Sequence, residues 1–164
     1  TDDPVVMVHA RSQQKSPLYS WELLRDALAA LPDVGHEEAS QLARRPDLKL
    51  SQNRANALVC RNRDLFLYRF GDKHVSHLSS SQDPEVAPDF SPDGRFVSFI
   101  KQNNIHIFNV NTEQRRALTI DGSADVLCGR LTWVYQEELY GRNNFRGYWW
   151  SPNSRKVAFL TTDC

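Results

Sequence analysis

Cysteine is scarce in this 164-residue chain, and the three present, Cys60, Cys128 and Cys164, stand far apart. None forms a CxxC pair, so zinc-ribbon and thioredoxin-like readings fail. Buried or incidental thiols are expected, with one disulfide plus a free thiol as the open alternative. Net charge is also missing. Lys and Arg total 20 and Asp and Glu total 20. That balance, with no clustered basic stripe, removes the footprint of a nucleic-acid binder. No run approaches the ~18 apolar residues of a membrane span. The opening TDDPVVMVHARS has a short apolar patch, no basic flank and no hydrophobic region of useful length, so it does not read as a signal peptide. A secreted precursor stays compatible with it. His36 and Glu37 start an HExxH pattern, but Ser40 stands where its second histidine belongs, which excludes that metalloprotease motif.

What is present changes character along the chain. In SPLYSWELLRDALAALPDVG, apolar Trp21, Leu24, Leu28 and Leu31 recur at helical spacing, Ser20 can cap the start, and Pro32 follows the last turn. HEEASQLARRPDL reads as a second short helix, with Ala39, Leu42 and Ala43 on one side and Pro46 as the stop. From about Lys49 the pattern alternates apolar and polar residues between turn signals, which predicts strands. The strands repeat. LSQNRANALVCRNRDLFLYRFGDKHVSHL and FSPDGRFVSFIKQNNIHIFNVNTEQRRAL align without a gap, so that Ser51 falls on Ser91, Val59 on Phe99, Leu65 on Ile105 and Leu78 on Leu118, an offset of 40. Within a unit, SPDG predicts a tight turn, because Pro92 presets φ and Gly94 supplies a positive one. FVSFI reads as an inner strand, NIHIFNV as the next and RRALTI as the outer one.

Short strands repeating every ~40 residues are the signature of a β-propeller blade. A third copy, WSPNSRKVAFL, starts at Trp150 with an offset of 60, so about 20 residues are inserted before it. The expectation is a mainly β chain: a partial β-propeller of about two and a half blades preceded by a short helical segment. Residues 1–48 are expected as an N-terminal extension with two helices, and 49–164 as the first blades. Two and a half blades cannot close a ring of ~4–8, so a longer parent and self-association through open blade edges are expected.

The insertion carries WVYQEELYGRNNF, with Glu137 and Glu138 adjacent in an aromatic and aliphatic setting. Glycosidase-like acid/base work needs carboxylates ~5–9.5 Å apart, usually from separate strands. Calcium would call for a D-x-D-x-D-G loop, which is absent, and no metal or cofactor is expected. Capture of an ammonium group fits better, since it carries three donors and no acceptor. Adjacent side chains converge on one cation only if the backbone is a helical turn or an irregular loop. A solvated acidic turn, or a structural ion pair with Arg142 or Arg146, is the plain alternative.

WVYQEELYGRNNFRGYWWSPNSRKVAFL closely resembles the N-terminal propeller of the dipeptidyl peptidase IV family, in the prolyl oligopeptidase group of serine peptidases. Family members carry W-V-Y-x-E-E followed by W-W-S-P. The resemblance continues upstream through PDFSPDGRFVSFIKQNNIHIFNV and NTEQRRALTIDG, more loosely through RPDLKLS and the helix pair, and covers about Trp21 to Phe159. A bacterial-type member is expected. The resemblance implies enzymes that remove dipeptides from N-termini, favouring proline or alanine at the second position, with the propeller over an α/β-hydrolase domain. By position Glu137 and Glu138 match the glutamates that bind the substrate's α-ammonium, and Trp133, Val134 and Tyr135 match the lead-in that would hold the turn. Gln136 stands where the family often has a third acid. Some relatives hold the substrate carbonyl with an arginine from a longer hairpin; the hairpin CRNRD is short, and Arg61 and Arg63 are the arginines it offers.

The family's nucleophile elbow, G-x-S-x-G, does not occur among the seven glycines. His9, His36, His74, His77 and His106 are expected to be structural or solvated. The chain alone is therefore expected to recognise a peptide N-terminus without cutting it. A non-enzymatic propeller scaffold and an inactive peptidase homologue are the competing readings. Relatives are commonly secreted, periplasmic or membrane-anchored, which is what the resemblance implies for location.

Overall fold

The computed structural model describes residues 6–32, 34–44, 48–62, 64–78, 83–142 and 144–164. The predicted stop at Pro46, and Arg63, lie outside the described residues. The chain divides into two compact units, one comprising the residues up to Val59 with Phe66–Ser76, the other Cys60–Leu65 with His77–Cys164.

The first unit opens with a hairpin absent from the sequence reading, β1 (Val6–Val8) against β2 (Lys15–Pro17). Helices α1 (Trp21–Ala29) and α2 (His36–Ala43) follow. The stripe predicted for α1 is the buried one: Leu24 and Leu28 join Ala39, Leu42 and Ala43 of α2 in a core with Val59, Phe66 and Tyr68. Burying each leucine contributes about 1.5–3 kcal/mol. Ser20 takes the N-cap position, but its hydroxyl donates to Glu22 Oε2 (3.3 Å) and accepts no helix N–H. Trp21 is held differently from the leucines, with the Arg44 guanidinium 3.9 Å from its ring centre.

Two four-stranded antiparallel sheets carry the repeat. The first runs β3 (Lys49–Leu50), β4 (Asn56–Arg61), β5 (Asp64–Arg69), β6 (His74–His77) in order, and the second β7 (Val86–Phe90), β8 (Phe96–Lys101), β9 (Asn104–Asn109), β10 (Arg115–Ala117). β4 and β8 are related by the predicted offset, as are β5 and β9. Paired positions Val59 and Phe99, Leu65 and Ile105, and Leu67 and Ile107 are all buried. Both faces of β8 are covered, which is why its sequence is nearly continuous in apolar residues.

The second sheet places FVSFI as an inner strand, with β7 added at its edge, a strand the sequence reading did not include. Pro88 disguised β7, since proline cannot donate to a ladder. The register indeed shifts between Val86 and Asp89, and Ala87 takes a φ of 51° there. RRALTI also shortens to Arg115–Ala117. Beyond it, the Thr119 hydroxyl accepts the Ile105 N–H (2.9 Å) and replaces a strand partner.

One turn recurs three times. Ser51, Ser91 and Ser151 each donate their hydroxyl to the side chain two residues on, Asn53, Asp93 and Asn153. Each also accepts the N–H five residues on, from Asn56, Phe96 and Lys156. The positive-φ position is Arg54, Gly94 and Ser154 in turn, so glycine is used in only one copy. Burial tends to raise the Asp93 carboxyl, but the Ser91 hydroxyl and Arg95 outweigh it and hold it at about 2.

The third copy contains β12 (Tyr148–Trp150) paired with β13 (Val157–Phe159), and β11 (Val126–Cys128) paired with β14 (Thr161–Asp163). The chain is thus mainly β, a partial propeller of two four-stranded blades and an incomplete third. No described helix is long and apolar enough to cross a membrane.

Candidate functional site

The insertion begins where a strand is interrupted. β13 and β14 form a nearly continuous stretch, and its partner changes at Leu160. The Leu160 N–H donates to Gly147 O (2.9 Å), while Leu160 O accepts the Gly129 N–H (2.7 Å). The Gly147 N–H in turn donates to Gly129 O (2.8 Å). β11 and β12 are therefore two halves of one strand, and the insertion leaves between them at Arg130 and returns at Arg146. Gly129 has a φ of 72°, and a Cβ there would sit 2.6 Å from Ile105 side-chain carbons. Only glycine satisfies both the left-handed backbone and that close approach.

Above the glycines the loop closes on a neck. Arg130 and Arg146 form an isolated antiparallel bridge, and the Leu131 N–H donates to Phe145 O (3.0 Å). Arg146 forms an ion pair with Asp89, and Arg130 Nη1 donates to Asn103 Oδ1 (3.1 Å).

The tip is helical, one of the two backbone forms in which adjacent acids can converge. Trp133 and Val134 begin it, and Tyr135–Leu139 form one π-turn, closed by Tyr140 N–H donating to Tyr135 O (2.9 Å). Such wide turns occur often at functional sites. In helical winding, neighbouring side chains lie roughly 100° apart, so Glu137 and Glu138 can serve one side of the turn; in a strand they would oppose each other.

Glu137 is one-quarter exposed, and its Oε2 lies 3.2 Å from Arg142 Nε, a group 85% exposed. Glu138 is exposed, and among the described residues no ion pair includes it. Of the two arginines offered for a structural pair, Arg142 thus takes Glu137, and Arg146 turns to Asp89. Trp133, Val134 and Tyr135 are exposed, and the buried residue of the tip is Gln136. The expected lead-in residues therefore do not pack into this chain's core; the turn is closed by its backbone bond. Arg61 ends β4, half-buried and engaged by a partner of its own, and Arg63 lies outside the described residues.

Elsewhere, His106 stacks on Phe99 (5.6 Å between ring centres) and burial lowers its pKa. His77 lies 3.7 Å from Asp64. A cavity of about 600 Å³ lined by Phe96, Ile107, Leu118, Trp150, Val157 and Phe159 does not include Glu137 or Glu138. It follows the faces of β8 to β10 and the β12–β13 hairpin, apart from the acidic tip. Sequence reasoning missed Asp89, Asn103, Arg130 and the role of Arg146. The one available signal was the pair of glycines, Gly129 and Gly147, that bracket the insertion.

Against known proteins, the model of the dipeptidyl peptidase IV N-terminal region matches residues 46–164. Dipeptidyl aminopeptidase B of Saccharomyces cerevisiae is 32% identical over 124 residues, which are 72% of this chain and 14% of that protein. A probable dipeptidyl-aminopeptidase B of Talaromyces marneffei is 27% identical over 97% of this chain and 18% of its own length. The chain thus spans less than a fifth of these relatives. The crystal structure of Porphyromonas gingivalis dipeptidyl peptidase 4 shares the fold at a TM-score of 0.72 and 24% identity, over 98% of this chain and 22% of that one. Relatives from fungi and a structure from a bacterium both align, so the likeness does not single out a bacterial type. A matched region of 119 of 164 residues, containing both repeat sheets and the acidic insertion, shows that this chain belongs to the dipeptidyl peptidase IV N-terminal region family.

Proposed function

We propose that this chain is the substrate-recognition part of a dipeptidyl-peptidase-like serine exopeptidase, and that Glu137 and Glu138 bind the α-ammonium of a peptide substrate. The observation that carries this reading is that Glu137 already holds a cation, the Arg142 guanidinium, on a loop that no blade strand requires. An ammonium can displace it at small cost, because an exposed pair of this kind contributes only about 0.2–1 kcal/mol. The incoming group makes charge-assisted bonds to two carboxylates at once. With the ammonium fixed, a nucleophile at a set distance can reach only the bond two residues along. That nucleophile is to come from the α/β-hydrolase domain expected of the parent protein. An acylated or internal peptide brings no cation and leaves both carboxylates unmatched, which is how such a site excludes it.

The test is an NMR titration of the 164-residue chain with Ala-Pro-amide and with its N-acetyl form. Shifts at residues 133–142 are expected with the free amine alone. Glu137→Gln and Glu138→Gln are each expected to weaken the response tenfold or more, about 1.4 kcal/mol. Equal binding of the acetylated peptide, or unchanged binding by both variants, removes the proposed role.

A further inference from the structure

A pair of carboxylates can measure a ligand only if the loop carrying them is held still. The insertion is joined to the third copy by its neck, and the neck is tied to the second sheet by its two arginines. Arg146, 57 residues beyond Asp89, forms an ion pair with it, and Arg130, 27 residues beyond Asn103, bonds to it. Asp89 lies on β7 just after the register shift at Ala87, and Asn103 sits in the β8–β9 turn.

The surroundings of this contact are built. The Arg146 guanidinium lies 5.9 Å from the Tyr148 ring centre, and Arg130 lies 5.9 Å from that of Phe145. Tyr148 is fully buried, and its hydroxyl donates to Ala87 O (2.6 Å), with Ser98 O at 3.1 Å. The irregularity in β7 thus both receives the Tyr148 hydroxyl and presents Asp89 to Arg146. Bulges commonly re-aim a side chain in this way. The side chains of Arg146 and Asp89 are only 31% and 25% exposed, so the pair is less screened than one on an open surface.

We propose that Asp89 and Arg146, assisted by Asn103 and Arg130, form a positioning clamp that sets the orientation of the 130–146 insertion and hence of the Glu137–Glu138 pair. Its meaning for recognition rests on the ammonium-binding reading; its mechanical content does not. Asp89 and Arg146 are positioning residues: neither is required to touch the ligand.

Hydrogen exchange of the full chain, read residue by residue by NMR, tests the mechanical part. In Asp89→Asn, exchange at the Leu131 and Gly147 amides is expected to accelerate roughly tenfold, the lower end for losing a charged hydrogen bond. Amides of Ile107 and Phe108 in β9 are expected to keep their rates. The charge swap Asp89→Arg with Arg146→Asp is expected to recover most of the neck protection, which a purely volumetric role of Asp89 would not produce. Unchanged exchange at the neck in Asp89→Asn overturns the clamp. Should that variant accelerate exchange throughout β8 and β9, Arg146→Lys takes its place; it keeps the charge but loses the planar fork. A local loss at the neck then supports the clamp, and no loss overturns it. Ala-Pro-amide titration of the same proteins separates the two readings. A neck that loosens in Asp89→Asn, beside Glu137→Gln and Glu138→Gln variants that bind as well as wild type, supports the clamp and sinks the ammonium site. A loosened neck with undiminished peptide binding, where the glutamate variants do fail, overturns the clamp's part in recognition.

Discussion

Replacing Glu85 by glutamine should flatten the stability of this chain against pH. Glu85 is 3% exposed; its Oε2 accepts the Leu65 N–H (3.2 Å), and its Oε1 is buried without a hydrogen-bond partner. Burial pushes its carboxyl up to about 7 from an ordinary 4.5, against the pull of Lys101, the Leu65 N–H and Arg115, while Asp64 adds to the rise. The sign follows from proton counting. Between those two values the folded chain keeps a proton at Glu85 that the unfolded chain has released. Its contribution is therefore fully present below about 4.5 and is lost as pH rises through about 7. Full linkage would amount to on the order of 3 kcal/mol, and the part falling between about pH 5 and pH 8 to about 2 kcal/mol. With a urea slope of roughly 1–3 kcal/mol per M, the wild-type midpoint should drop by roughly 1 M across that range. Glutamine keeps the acceptor for Leu65 and cannot ionise, so its midpoint should change much less. Histidines and other carboxylates titrate in both proteins, and the difference between the two curves isolates Glu85. Parallel curves for wild type and Glu85→Gln would refute the reasoning.

Two further outcomes are open to measurement. Gly129→Ala places a Cβ against buried Ile105 and forces alanine to a φ of 72°, so a loss of about 2–4 kcal/mol is expected in chemical denaturation; a loss below about 0.5 kcal/mol would show that Ile105 yields freely. The third copy forms two-stranded sheets where the others form four-stranded ones, and Phe159 is exposed where its counterpart Phe99 is buried. Concentration-dependent self-association by light scattering is the expected consequence, and a monodisperse monomer at high concentration would count against it.

The repeat was legible because its causes are local. Side-chain alternation and the serine-initiated turn act within six residues, so laying Leu50 beside Phe90 predicted which of β4, β5, β8 and β9 would align. The α1 stripe was legible for the same reason. β7 was hidden by Pro88, and the RRALTI strand was overestimated because the Thr119 hydroxyl, not a backbone group, completes the pairing of Ile105. For the acidic tip, adjacency of the two acids left a helical turn or an irregular loop open, and the structure shows the helical turn.

Alone, the sequence determined that an adjacent acid pair interrupts a blade repeat, and its motif pointed to the family. Which arginine answers which acid was decided only by the tertiary structure. Arg142 and Arg146 are equally plausible partners for Glu137 along the chain. The choice depends on where β7 lies beside the neck, and thus on a contact between the neck and the second sheet whose residues are 57 positions apart. Spacing encodes the turn that holds Glu137 and Glu138 together; long-range contacts determine where that turn is held.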